Sequence, residues 1–191
     1  ELRHYLQPGG FSCWVRVSLA LVSLGIVYQR LGQSEAMNLL FIHGLEGSSQ
    51  GMKAAYLRDR FPDVHTPDFT GSLDQRMGKL LSILQSHPED NWTLIGSSFG
   101  GLMAALYAKM HPQRLDKLIL LAPALVWPDF ALQENLQVDV PTIIYHGTQD
   151  DVIPIDYVRS LAERSFTQLK FNTVDDDHML HRTVRAVDWL R

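Results

Sequence analysis

The stretch Gly96–Gly100, which reads Gly-Ser-Ser-Phe-Gly, decides the fold because of the segments on either side of it. The apolar run 92–95 before it predicts a buried strand, and the run 101–110 after it is rich in strong helix formers. The sequence therefore predicts a strand, a sharp turn and a helix, with Ser98 at the tip of the turn. The flanking glycines lack the Cβ atoms that would clash where the helix approaches the strand. We expect the Ser98 hydroxyl to project from this turn as a nucleophile.

Predicted strands and helices alternate from residue 37 to the end of the chain. Alternation of this kind predicts a parallel sheet with helices on both faces. The predicted strands span residues 38–42, 63–66, 92–96, 117–121, 141–146 and 169–174. The predicted helices span residues 50–60, 72–86, 99–110, 155–165 and 178–190. The strands contain unbroken runs of Leu, Ile and Val, which are typical of strands covered on both faces.

Four segments of the chain together resemble the serine hydrolases of the α/β-hydrolase superfamily, in particular its small capless bacterial esterases. They are residues 39–45, 95–101, 145–154 and 175–178, and they supply serine, acid and histidine in the chain order of that superfamily. The resemblance implies an α/β fold of three layers, with a reduced, mostly parallel sheet of about six strands and no cap domain. The segment 122–140, where many relatives insert a lid, is short and is expected to hold at most one brief helix near 129–136.

The resemblance implies a catalytic triad of Ser98, Asp150 and His178. A serine hydroxyl is a poor nucleophile at neutral pH and needs an adjacent base, and that base needs a buried carboxylate to fix its tautomer. Asp150 fits the spacing H-G-x-x-D-x-x-V/I-P of the superfamily. The adjacent Asp151 remains the alternative acid, and His181 remains the alternative base.

Backbone N–H groups are implied to form the oxyanion hole. The superfamily uses the residue after the nucleophile, here Phe99, and a residue in the loop after the strand that ends in His-Gly, here Leu45. We expect His43 to hold that loop by hydrogen bonds rather than to take part in catalysis. The aspartates at 175–177 either tune the base electrostatically or belong to a helix start or a solvated turn.

These features predict a serine hydrolase that cleaves small carboxylic esters through an acyl-enzyme intermediate. Thioesters, lactones and amides pass through the same intermediate, so the fold and the triad do not separate them. A rival of a different class is a non-catalytic binding protein that keeps the hydrolase fold. The sequence has no metal-binding or nucleotide-binding motif, and we expect no cofactor.

Composition limits the partners of this chain. The 191 residues are 46 % hydrophobic and 20 % charged, with a formal net charge of −4, which predicts one globular domain without a basic surface for nucleic acid. Cys13 is the only cysteine, so no intrachain disulfide is possible, and we expect a reducing, cytoplasmic location.

Residues 1–36 do not match the hydrolase-like domain at 37–191. The segment 11–28 is strongly apolar, but Arg16 interrupts it, and the remaining run of twelve residues is shorter than a membrane span and about as long as the apolar core of a signal peptide. The sequence is compatible with three interpretations of residues 1–36: a non-native or misread leader, an extra helix packed on the domain, or a signal or anchor.

Overall fold

The computed structural model describes residues 38–88 and 91–189. The apolar segment 11–28, and with it the three readings of residues 1–36, lie outside the described residues. Within the described part of the chain, no helix is both long and apolar enough to cross a membrane.

The centre of the fold is a sheet of five parallel strands whose spatial order equals their order along the chain. Every neighbouring pair is parallel, so all carboxyl ends lie at the same edge, where ligands bind in open α/β sheets. The strands are β1 (Asn38–Ile42), β2 (Trp92–Ser97), β3 (Leu115–Leu121), β4 (Thr142–Gly147) and β5 (Leu169–Val174).

Helices connect these strands, as parallel strands require. They are α1 (Met52–Arg60), α2 (Leu73–Gln85), α3 (Phe99–Met110), α4 (Pro128–Ala131), α5 (Ile155–Ser165) and α6 (His181–Ala186), together with a 3-10 turn at Pro112–Arg114. Ser72 begins α2 with a capping box, since its side chain accepts from the Gln75 N–H and the Gln75 side chain accepts from the Ser72 N–H.

Two hydrophobic cores cover the two faces of the sheet. Leu40 and Ile42 of β1 pack in the larger core with buried residues of α2, α3 and α5. Leu39 and Phe41 of the same strand pack in the smaller core with residues of α1 and α6. Because successive strand residues point to opposite faces, this division shows helices on both sides of the sheet and therefore the predicted three layers.

The sheet has one strand fewer than the list of predicted strands. Residues 63–66 were expected to form a strand, but only His65 pairs with β1, through the bonds from Phe41 N to His65 O and from His65 N to Leu39 O, both 2.8 Å long. Pro62 and Pro67 flank this bridge and have no N–H to donate, so the ladder cannot extend.

The last helix is shorter than predicted, and the segment between β3 and β4 is as compact as expected. The predicted helix 178–190 begins only at His181, because Asp177 accepts from the N–H groups of Met179 and Leu180 in the turn before it. The helix ends at Ala186, and residue 190 lies outside the described residues. Segment 122–140 carries only the four residues of α4 as helix, and no cap domain lies between β3 and β4.

Candidate active site

Ser98 lies in the turn between β2 and α3, where its backbone has φ 53° and ψ −116°. A positive φ is strained for a residue with a Cβ atom, and such strain is typical of functional turns. The surrounding backbone fixes this conformation, since the Ser98 N–H donates to Leu121 O at 2.9 Å and its C=O accepts from Ala124 N at 3.0 Å. A Cβ atom at Gly100 would overlap the carbonyl oxygen of Ile42, which explains a glycine at that position.

The three residues of the predicted triad lie in one hydrogen-bonded row. His178 Nδ1 is 2.8 Å from Asp150 Oδ2, and His178 Nε2 is 3.1 Å from Ser98 Oγ. Because the ionised carboxylate can only accept, Nδ1 carries the proton, and Nε2 of a neutral imidazole is left to accept from the serine hydroxyl. The residues come from the ends of β2, β4 and β5, at the edge of the sheet where all the carboxyl ends lie.

Asp150, and not Asp151, faces the histidine. The Asp150 side chain is fully buried, and its second oxygen, Oδ1, accepts from Val152 N at 3.0 Å and Ile153 N at 2.8 Å. Hydrogen bonds of this kind hold a carboxylate in one orientation. Asp151 is exposed, and no hydrogen bond or ion pair joins it to His178.

His146 is a second histidine beside Asp150, and sequence analysis assigned it no role. Its Nε2 lies 3.0 Å from Ile153 O and 3.1 Å from Asp150 Oδ2, which identifies Nε2 as the protonated nitrogen. Burial, together with the charges of His178 and Arg159, lowers the pKa of His146 more than the Ile153 carbonyl and Asp150 raise it. His146 Nε2 therefore donates to the Ile153 carbonyl, and the neutral ring packs against the acid with the same nitrogen 3.1 Å from Asp150 Oδ2.

The aspartate run before His178 builds the loop that carries this base. Asp176 is 4 % exposed and accepts from the N–H groups of Asp177, Arg182 and Thr183 and from the Thr183 hydroxyl. Burial acts to raise the pKa of Asp176, but these hydrogen bonds outweigh it and hold the pKa below its ordinary value. The geometry therefore supports the helix-start interpretation of the run.

The N–H groups of Leu45 and Phe99 are both available to a ligand. Within the described residues, neither donates a hydrogen bond. The loop of Leu45 passes beside the nucleophile, since a Cβ atom at Gly44 would lie 3.3 Å from Ser98 Cβ. His43 holds the loop as expected, because its Nε2 accepts from Phe69 N at 2.9 Å and its Nδ1 donates to Gly44 O at 2.7 Å.

A cavity of about 680 Å³ opens at this site. Its lining includes Ser98 and His178, together with apolar side chains from four loops, namely Leu45, Trp127, Val152 and Met179. Lys53 of α1 also lines it, and burial lowers the pKa of its ammonium more than the charges of Asp177 and Asp176 raise it. His181, the alternative base, lines the same cavity, but Ser98 Oγ is hydrogen-bonded to His178.

Two residues that sequence analysis did not single out contribute to this site, His146 and Arg76. His146 precedes the glycine of the H-G-x-x-D pattern, so the motif itself could have marked it. Arg76 donates to Leu45 O from a helix 31 positions away along the chain, and no local pattern announces such a contact.

Comparison with known proteins agrees with this architecture. The model of the alpha/beta hydrolase fold family matches residues 38–138, which is more than half of the chain. The chain belongs to the alpha/beta hydrolase fold family.

One relative from Vibrio cholerae is similar in sequence to this alpha/beta hydrolase. It is the pimeloyl-[acyl-carrier protein] methyl ester esterase of Vibrio cholerae, which is 31 % identical over 156 residues. The alignment covers 78 % of this chain and 56 % of the relative, so the chain spans little more than half the length of that protein.

Solved structures share the fold at low sequence identity. Est1E from Butyrivibrio proteoclasticus, solved with ferulic acid bound, superposes with a TM-score of 0.67 at 17 % identity, over 81 % of this chain and 86 % of that one. Alpha/beta hydrolase domain-containing protein 10 from mouse gives a TM-score of 0.64 at 19 % identity, over 82 % and 89 % of the two chains. At these identities the likeness concerns the fold alone.

Proposed function

We propose that this protein hydrolyses small carboxylic esters through a serine acyl-enzyme intermediate. The observation that carries the proposal is the row of hydrogen bonds from Asp150 through His178 to Ser98, at 2.8 and 3.1 Å. Such a row activates a hydroxyl that is otherwise a poor nucleophile. The name of the sequence relative, a methyl ester esterase, supports the same reaction class.

The reaction follows from the donors and acceptors at the site. Ser98 Oγ attacks the ester carbonyl carbon while its proton passes to His178 Nε2, and the negative charge on the carbonyl oxygen is stabilised by the N–H groups of Leu45 and Phe99. His178 then gives the proton to the departing alcohol, and Asp150 stabilises the imidazolium throughout. Water, deprotonated by the same histidine, attacks the acyl-enzyme, and the proton passes from His178 to Ser98 Oγ as the bond to the acyl group breaks and the acid leaves.

The cavity supports substrates of modest size. Its volume of about 680 Å³ and its partly apolar lining are typical of small-molecule sites. Thioesters, lactones and amides share the tetrahedral intermediate, and a panel of p-nitrophenyl esters and acyl thioesters of increasing acyl length separates ester from thioester preference. The small-molecule partner is therefore proposed as an ester, and that panel gives its preferred acyl length.

Replacement of Ser98 tests the proposal. Ser98→Ala should lower kcat on p-nitrophenyl acetate by about 10⁶-fold, the size of effect seen when a serine hydrolase loses its nucleophile. It should also abolish covalent labelling by a fluorophosphonate while leaving the melting temperature near that of the wild type. Ser97→Ala, at the last residue of β2, is the matched control and should keep most of the activity. A wild-type protein that fluorophosphonate does not label at Ser98 would instead favour a non-catalytic binding protein.

A further inference from the structure

Arg76 is a buried cation that the reaction described above does not use. It lies in the first turns of α2, is 5 % exposed, and pairs with no carboxylate of the described residues. Removing a guanidinium from water without a counter-charge is costly unless other groups satisfy it. Its partners therefore indicate what the residue is for.

Those partners are two carbonyl groups and one aromatic ring. Arg76 Nε donates to Gly71 O at 3.0 Å, and Nη2 donates to Leu45 O at 3.1 Å. The centre of the guanidinium lies 5.5 Å from the centroid of the Phe99 ring, within the range of a cation–π contact. One side chain thus contacts both residues whose N–H groups form the proposed oxyanion hole.

The peptide planes around Leu45 show why this contact matters. A peptide unit is planar and trans, so the C=O of Gly44 and the N–H of Leu45 point in opposite directions within one plane. His43 Nδ1 donates to Gly44 O at 2.7 Å and so sets the direction of the Leu45 N–H. The next plane carries Leu45 O, and Arg76 fixes that one. Both planes flanking Leu45 are therefore held by side chains, although the Leu45 side chain itself is 49 % exposed.

We propose that Arg76 is a positioning residue for the oxyanion hole. Its contacts hold the Leu45 loop and the Phe99 turn at a fixed separation. The proposal rests on the proposed hydrolase function, since it assigns Arg76 to the transition state of that reaction. A guanidinium suits the role because its planar fork donates in two directions while its face covers a ring. A lysine ammonium has the charge without that fork.

The test compares Arg76→Lys and Arg76→Met with Lys79→Met. Lys79 is the matched control, because it belongs to the same helix and its ammonium lies 6.0 Å from the centroid of the Phe69 ring, which is no part of the hole. Both Arg76 variants should lower kcat on p-nitrophenyl acetate by about 10- to 100-fold, below the 10²- to 10³-fold effect of losing an oxyanion donor outright, with KM nearly unchanged. Lys79→Met should leave both constants near wild type.

A second measurement separates positioning from general loss of structure. The rate of fluorophosphonate labelling at Ser98 should fall in parallel with kcat, and millimolar guanidinium ion should partly restore it in Arg76→Gly, well below denaturing concentrations. Arg76→Lys, which keeps the charge and most of the side-chain volume, serves if the smaller variants do not fold. Unchanged labelling and kcat in Arg76→Lys and Arg76→Met would overturn the role, as would a decrease that guanidinium does not restore and that follows the melting temperature. Absence of labelling in the wild type would instead overturn the proposed function itself.

Discussion

The loops of Asp150 and His178 form the acid–base side of this site, and the loop of Leu45 forms its oxyanion side. The side-chain hydrogen bonds that hold these two sides differ in the separation of their partners along the chain. On the acid–base side, Asp150 accepts from a backbone N–H three positions away, and Asp176 accepts from one seven positions away. On the oxyanion side, His43 is bound to a residue 26 positions away and Leu45 to one 31 positions away. The carboxylates of Asp150 and Asp176 are therefore held mainly by N–H groups of their own loops, whereas the oxyanion loop depends on α2 and the segment before it.

The largest effect in this comparison is the loss of kcat that we expect when Asp150, the acid, is replaced. In Asp150→Asn, the side-chain oxygen would stay with the N–H groups of Val152 and Ile153, and the amide NH₂ would face His146 and His178. His178 would then have to carry its proton on Nε2, where it cannot accept from Ser98. We expect kcat to fall by about 10⁴-fold, as when the acid of a serine protease is replaced by asparagine, with KM little changed.

Asp151→Asn is the control for that variant, because its carboxylate is exposed and has no contact with the histidine. Steady-state kinetics should show near wild-type kcat. If the two variants ranked in the opposite order, Asp151 would be the acid and the local hydrogen bonds around Asp150 would be structural only.

On the oxyanion side, we expect the largest loss of stability from a substitution that pushes the end of β1 away from the turn of Ser98. An alanine Cβ at Gly100 would overlap the backbone oxygens of Ile42 and His43, where α3 crosses the end of β1. Gly100→Ala should therefore destabilise the protein by about 3 kcal/mol or more, because backbone atoms cannot move aside as a side chain can.

Gly78→Ala in α2 gives the matched comparison, since nothing lies within 4 Å of a Cβ atom there. Alanine in a helix interior should stabilise the protein by about 1 kcal/mol. Chemical denaturation of both variants measures the contrast, and a small effect of Gly100→Ala would show that the α3 turn and the β1 end are not in firm contact.

The range of the contacts also explains what the sequence could predict. Three features of the site can be predicted from about ten residues of sequence each: the turn of Ser98, the H-G-x-x-D pattern of Asp150 and the loop of His178. The structure brings all three together. Helix α3 was predicted with its observed bounds for the same reason, since glycines and strong helix formers fix it locally. Arg76 could not be found, because its role exists only once α2 lies against the loop of Leu45.

The bounds of the elements next to the two outer strands, β1 and β5, were predicted less well, also for physical reasons. A strand at 63–66 is a fair reading of its composition, but two prolines limit its pairing to His65. The last helix was predicted to begin at 178, whereas Asp177 accepts from the N–H groups of Met179 and Leu180 and the helix begins three residues later. In both cases a hydrogen bond that is missing or diverted, rather than hydrophobicity, sets the boundary.

The smallest effect in this series concerns the stability of the base loop and its dependence on pH. Because hydrogen bonds hold the pKa of Asp176 below its ordinary value, the folded state favours the carboxylate more than the unfolded chain does. The stability it adds is present above the ordinary pKa and is lost as pH falls through the lowered one. Asp176→Asn should therefore reduce the free energy of unfolding by about 2 kcal/mol at pH 7, and by progressively less below about pH 4.

Asp175→Asn is the control for this titration, because that side chain is 76 % exposed and its pair with Arg182, at 3.7 Å, is a surface one that contributes little. Urea unfolding of both variants and of the wild type between pH 3 and 7 measures the difference. A loss in Asp176→Asn that stayed constant across this range would mean that the side chain acts by shape and neutral hydrogen bonding. The contribution of Asp176 to the acid–base side would then not depend on its charge. The two sides would differ at this residue only in how far apart along the chain the bonded residues lie.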